Sequence, residues 1–360
     1  MRIFQYQNII AIGILLASFS GCSNETVVPQ QLPIEVVVSI DNGVNTRTTL
    51  EGDKFIAGDK FNFFFKHDRP QSSGENTYTA SEITTNGTTA IKWTPTTPIY
   101  WDEQSINTFN FAAVMAGKDG YSFTANGSGT DTYEVAADQS VEDGTAKDAA
   151  AYLKSDILMA RGIAQNRMAE VKFNHINAKV VVNITASTTA ANGTFTADEL
   201  KNATLTLTGV CLKGQIAYDT SNSDVTATME SGEAQSEVIT LYPGNGFTKG
   251  SDNAIKATYI CVLPDQDITD ITNNNLPLEL KLSDGRIYKF KTTSNTIIDG
   301  GLTSANFLRQ GKQTVINLTL KKTGLELKDN GGTSDSAITV EAWGDYKSGT
   351  ADGEITVPQN

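Results

Sequence analysis

Few residues in this chain are equipped for chemistry, and their spacing rules out the commonest kinds. The 360 residues contain two histidines, His67 and His175, and three cysteines. Neither histidine has a second histidine or a cysteine at metal-ligand spacing. No G-x-S-x-G, H-E-x-x-H or glycine-rich phosphate loop is present. His175, within "KFNHINAK", reads as a strand histidine with a satisfied ring rather than a general base. Acidic residues are abundant, but a catalytic carboxylate pair needs a cleft, and nothing in the sequence marks one. The residues therefore name no catalytic group, no metal site and no cofactor.

The cysteine with the most telling context is Cys22. Arg2 supplies a short positive region, and "IIAIGILLASF" follows as an apolar core of signal-peptide length, too short to span a membrane. "FSGC" then resembles a lipobox, in which small Ser20 and Gly21 fit the peptidase and the Cys22 thiol accepts diacylglycerol. On this reading residues 1–21 are a signal peptide. Residues 22–33 are a polar, proline-containing tether, held in the outer membrane by two or three palmitate-type chains, where one would not suffice. Cys211 and Cys261 lie in apolar strand-like runs. They read as two separate buried thiols, and an exported compartment also permits a disulfide between them.

The elements that must position these residues are strands. Lys and Arg number 28 against 41 Asp and Glu, a net charge of −13, and no basic cluster points to nucleic acid. Alternating runs recur along the chain, among them "IEVVVSI", "KFNFFFKHD", "TFNFAAVMA", "ATLTLTGVCL", "KQTVINLTL", "AITVEAW" and "EITVPQ". Asp284-Gly285, between two such runs, predicts a tight hairpin. Helix is expected only as short turns, one within 143–160 and one at 196–202, where Thr196 and Glu199 have capping-box spacing. The chain is thus all-β, with about seven strand runs on each side of a boundary near residue 170. Trp93, Trp101 and Trp343 read as core packing before they read as a carbohydrate platform.

The order of these pieces is familiar. A lipobox is followed by an alternating strand and "NTRTT", then "GDKFNFFF", then "SDILMARG" leading to "VKFNHINAKVVVNI", and finally "ITVEAW". This order resembles the fimbrillin family, the lipoprotein-derived type V pilins, and the stretch from Asp156 to Val180 is the most specific part. The resemblance implies two tandem transthyretin-like β-sandwich domains, 34–170 and 171–360. It also implies a lipoprotein moved to the cell surface and cut by an arginine-specific protease, here between Arg47 and Thr48. The cut would free the first strand, and the C-terminal tail of another pilin subunit would fill its groove. The expected product is a fimbria, a self-polymer on the cell outer membrane that serves adhesion, with no enzyme activity.

Elementary physics fits this expectation. If Ile34, Val36, Val38 and Ile40 face inward, full burial of the four contributes on the order of 6–12 kcal/mol as an upper bound. Losing the strand would expose an apolar groove and unpaired backbone groups, a template for any matching strand. The tail offers Ile338 and Val340, and again Ile355 and Val357, at the same two-residue spacing. "DSA" at 335–337 matches an O-glycosylation signal of bacteria that make such pilins. The competing expectation keeps the fold and drops the polymer: an uncleaved surface lipoprotein that anchors or tips a pilus, or binds glycan or host protein.

Overall fold

The protein is described from a computed structural model, which covers residues 33–40, 55, 57–66, 74–85, 88–100, 108–116, 129–141, 151–165, 167–218, 225–230, 232–267, 276–290, 307–328 and 338–342. The proposed lipidation site Cys22, the proposed cleavage site Arg47–Thr48, Ile355 and Val357 lie outside these residues, as do His67, Trp101 and Trp343.

The described chain is nearly all strand. The first half holds β1 (Glu35–Ile40), β2 (Lys60–Lys66), β3 (Gly74–Thr85), β4 (Thr88–Pro95), β5 (Thr108–Ala116), β6 (Gly129–Glu134), β7 (Ile157–Gln165) and β8 (Met168–His175). The second half opens with β9 (Ala178–Ala186), β10 (Thr204–Val210), β11 (Lys213–Tyr218), β12 (Val225–Met229), β13 (Glu237–Thr240) and β14 (Thr248–Lys249). It continues with β15 (Ile255–Leu263), β16 (Leu278–Lys281), β17 (Ile287–Lys289), β18 (Lys312–Lys321), β19 (Gly324–Leu327) and β20 (Ile338–Ala342). The helices are short turns, α1 (Ala151–Ser155) and α2 (Ala197–Leu200). The capping box at α2 forms as its spacing predicts, and the Thr196 backbone N–H on the Glu199 carboxylate holds that group down at about pKa 2. The Asp284-Gly285 hairpin also forms, joining β16 to β17 with Gly285 at φ 87°.

Seven strands make one sheet in the order β1-β8-β7-β5-β2-β3-β4. Its inner face wraps an aromatic core of Phe61, Phe63, Tyr78, Phe109, Phe111 and Phe173, with Trp93 and Phe55 packed against it. The central strands β5 and β7 are buried on both faces. Phe111 and Ala113 point into this core, while Ala112, Val114 and Met159 join a second, larger one. That larger core lies among the four-stranded sheet β13-β10-β16-β17, the three-stranded sheet β12-β11-β6 and the six-stranded sheet built on β14-β15-β9-β18-β19, with β20 also on β18.

The described residues between β5 and β7, 129–141 and 151–156, lie outside the seven-stranded sheet. β6 pairs with β11, and Gly214 sits opposite Tyr133 because a Cβ there would collide with the tyrosine ring. Residues 135–141 then run along the edge of β13, with Gln139 N–H on Thr240 O at 2.9 Å and Thr240 N–H on Ala137 O at 2.8 Å. The Gln139 side chain completes a second edge: it accepts from Val262 N–H at 2.9 Å and donates to Val262 O at 2.8 Å. α1 finally covers the outer face of the six-stranded sheet, where Tyr152 and Leu153 pack on Val181, Ile260, Val262 and Val315. β8 runs through residue 170 and keeps to the seven-stranded sheet up to His175.

Candidate functional site

Two places gather the residues singled out by the sequence. The first is a buried polar knot where α1 turns into β7. His175 Nδ1 lies 3.0 Å from Asp156 Oδ1, and both side chains are buried. Asn177 donates to Ser155 O at 2.8 Å and accepts from the Tyr133 hydroxyl at 2.6 Å, and Ser155 Oγ accepts from Ala136 N–H at 3.0 Å. The knot ties β6, α1, β7 and β8 together without opening a cleft. His175 is thus a buried core histidine held through Nδ1 by Asp156, and the "SDIL…FNHIN" pattern is explained by its two ends meeting. Asp156, which sequence reasoning quoted without assigning a role, is its partner. Cys211 and Cys261 are both buried free thiols, and burial pushes the Cys261 thiol far up. Among the described residues no group of His, Cys, Asp and Glu could hold a metal ion, and no helix is long and apolar enough to cross a membrane.

The second place is the edge of the seven-stranded sheet, where β1 lies. β1 runs parallel to β8, Glu35 opposite Met168 through Ile40 opposite Phe173. The pairing starts where Arg167, held at φ 68° in the β7–β8 turn, presents its carbonyl to Glu35 N–H at 2.9 Å. Alternation sorts the side chains as expected. Ile34, Val36 and Val38 pack against the aromatic core, while Val37 is 45% exposed. The packing is shallower than the sequence suggested, because the three are half-buried. Their hydrophobic contribution is about 1 kcal/mol each rather than the full-burial figure. Ile40 is placed by its backbone at the end of β1.

Beneath β1 the core is dense with rings. Phe61 stacks on Tyr78 at 5.1 Å and meets Trp93 at 4.9 Å and Phe173 at 5.4 Å edge-on. Trp93 is therefore a core residue. On the outer side of the strand, Pro33, Glu35, Ile163, Gln165, Arg167, Met168 and Glu170 line a shallow groove of about 530 Å³. At the other end of the chain, β20 is docked on its own subunit, antiparallel to β18 with Ile338 opposite Ile316 and Val340 opposite Thr314. Ile338 is buried there and Val340 half-buried. The described structure thus brings the leading strand to one sheet and the first tail strand to another.

The fimbrillin-like family model Mfa_like_1 matches residues 46–343, and the chain belongs to that family. The match leaves β1 outside and takes in β20. Among solved structures, a candidate cell adhesion protein from Bacteroides uniformis ATCC 8492 aligns at 16% identity over 88% of this chain and 99% of its own, with a TM-score of 0.51. A candidate cell adhesion protein from Bacteroides ovatus ATCC 8483 aligns at 14% identity over 87% and 98%, also with a TM-score of 0.51. At these identities the likeness is one of fold. No curated protein matches the chain.

Proposed function

We propose that this chain is a structural subunit of a cell-surface fimbria, exported as a lipoprotein on Cys22 and assembled by strand exchange. In this reading an arginine-specific protease cuts between Arg47 and Thr48, and β1 leaves with the lipid anchor. A donor strand from the tail of a second subunit then takes its place. One observation carries the reading. The first described strand, β1, is an edge strand, attached through one parallel ladder to β8 and a single bond from Ile34 to Ile99 at its start, and it covers an aromatic core with only half-buried side chains. Such a strand can leave without dismantling the sheet, and what it uncovers is apolar and lined by unpaired backbone. An exchange that passes from one subunit to the next does not close on itself, so it builds a filament.

The tail holds the tripeptide Ile-Thr-Val twice, at 338–340 and at 355–357. The first copy is already seated on β18, which makes the second, with Ile355 and Val357 inward, the donor in this proposal. In this proposal the boundary expected near residue 170 moves to the gap between His175, the end of β8, and Ala178, the start of β9, separating an N-terminal domain that accepts the strand from a C-terminal domain that supplies it. Residues 129–141 and 151–155 are lent by the first to the second. A non-polymerising role as pilus anchor, tip or adhesin is favoured by one observation, the docking of β20 within its own chain, which keeps that strand from a neighbour. Arg-specific proteolysis of the purified precursor separates the two. A subunit gives a ladder of heat-resistant oligomers that is missing in Arg47→Ala, with surface material starting at Thr48 and lacking lipid. An anchor or adhesin keeps acylated Cys22 and stays monomeric.

A further inference from the structure

The seven-stranded sheet curls so far that its two edge strands cover the same core: Val36 and Val38 from β1 and Trp93 from β4 all pack against the Phe61 cluster. Yet the edges are joined only at one end. Ile34 N–H donates to Ile99 O at 2.8 Å, and Pro33 forms an isolated antiparallel bridge with Tyr100. Beyond that point β1 pairs with β8 and β4 with β3, and neither pairs with the other.

The backbone phases of the two edges show what is left over. Thr96 N–H bonds Thr77 O at 2.8 Å, which makes the 96–77 pair a bonded one. Antiparallel pairs alternate, so Thr94, Lys92 and Ala90 turn their N–H and C=O groups toward β3, and Trp93 and Ile91 turn theirs away. Pro95, which has no N–H to offer, falls in the outward phase, where an edge strand tolerates it. On β1, Glu35 N–H points to Arg167 on the β8 side, so Ile34, Val36 and Val38 point theirs at β4. Two rows of ladder groups thus face one seam, and only Ile34 and Ile99 are bonded across it in the described structure.

We propose that the strand which replaces β1 pairs along β4 as well as β8, so that assembly closes the open seven-stranded sheet into a ring that the precursor does not have. This rests on the strand-exchange reading above and adds to it. The occupant is the second tail copy, 354–358, of another subunit. Running in the direction of β1, it lies parallel to β8 and antiparallel to β4. The register set by Ile34 and Ile99 puts Trp93 across from Ile40 and Ile91 just past the end of β1, so the donor reaches their outward groups by seating toward that end. Each bond to β4 that β1 does not make slows release of the incoming strand by about fivefold. This gives exchange a direction even where the donor's apolar residues are no better than those of β1.

Amide hydrogen exchange of the full chain, before and after Arg-specific cleavage, reads this directly. Ile91 and Trp93 should exchange freely in the precursor and about tenfold or more slowly in the oligomers, with Lys92 and Thr94 protected in both. A parallel comparison uses Ile91→Pro against Ile91→Ala. Both lose the side chain, but the first also loses the outward N–H, so its oligomers should fall apart at lower temperature. Oligomers that form with Ile91 and Trp93 still exchanging freely overturn this inference alone. A cleaved wild-type chain that stays monomeric overturns it together with strand exchange.

Discussion

Buried tyrosines in this protein show how much one hydroxyl weighs. Tyr133 donates to Asn177 at 2.6 Å and Tyr259 to Ala203 O at 2.9 Å, each inside the larger core. Tyr78 is 2% exposed, stacked on Phe61 and edge-on to Phe63, and its hydroxyl has no hydrogen-bond partner among the described residues. Burial pushes its phenol up to about pKa 12. An unsatisfied buried hydroxyl costs about 1–3 kcal/mol, and phenylalanine keeps the ring stacking without it. Tyr78→Phe should therefore stabilise the precursor by roughly that amount, seen as a higher urea midpoint at unchanged slope. A lower midpoint would mean that the hydroxyl is bonded, and the aromatic core would have to be redrawn.

At the scale of the element, β1 is stabilised by three half-buried aliphatic side chains and one ladder, and under the proposed strand exchange all of these belong to the precursor only. Replacing Val36 and Val38 together by alanine should lower precursor stability by about 1–2 kcal/mol. Oligomers made from the same variant should melt as wild type does, because β1 is no longer in them. Equal shifts in both forms would keep β1 in the assembled subunit. The sequence made much of this element legible. Period-two alternation in "IEVVVSI" gave the strand and its inward face, the Asp-Gly pair gave the β16–β17 hairpin, and Thr196 with Glu199 gave the cap of α2. What it did not carry was the partner: β1 and β8 are separated by more than a hundred residues, and alternation says which face is apolar, not which strand lies beside it. The half-burial of Val36 and Val38 was hidden for the same reason, since depth depends on where the sheet ends.

The whole molecule is knitted by the excursion between β5 and β7, which no local pattern announces because β6 and 135–141 find their partners in the second half of the chain. Under the proposed strand exchange, a subunit pulled between its donor and acceptor ends would carry load from one half to the other, and this excursion is one of the parts that couple them. Gln139 is its most concentrated fastening. Its side chain is fully buried and satisfies both backbone groups of Val262, while its own N–H holds Thr240 on the opposite sheet. Gln139→Ala leaves a buried N–H and a buried C=O without partners, a loss of roughly 2–5 kcal/mol. The consequence should go beyond a lower melting temperature. With the fastening intact, calorimetry should show one cooperative transition for the precursor. In Gln139→Ala the segment 135–141 loosens and the seven-stranded sheet is freed to melt apart from the rest, so the transition should split in two. A variant that melts later or earlier but still as a single unit would show that the two halves are coupled through the larger shared core, where Ala112, Val114 and Met159 already meet the second half, and that Gln139 contributes stability without contributing the coupling.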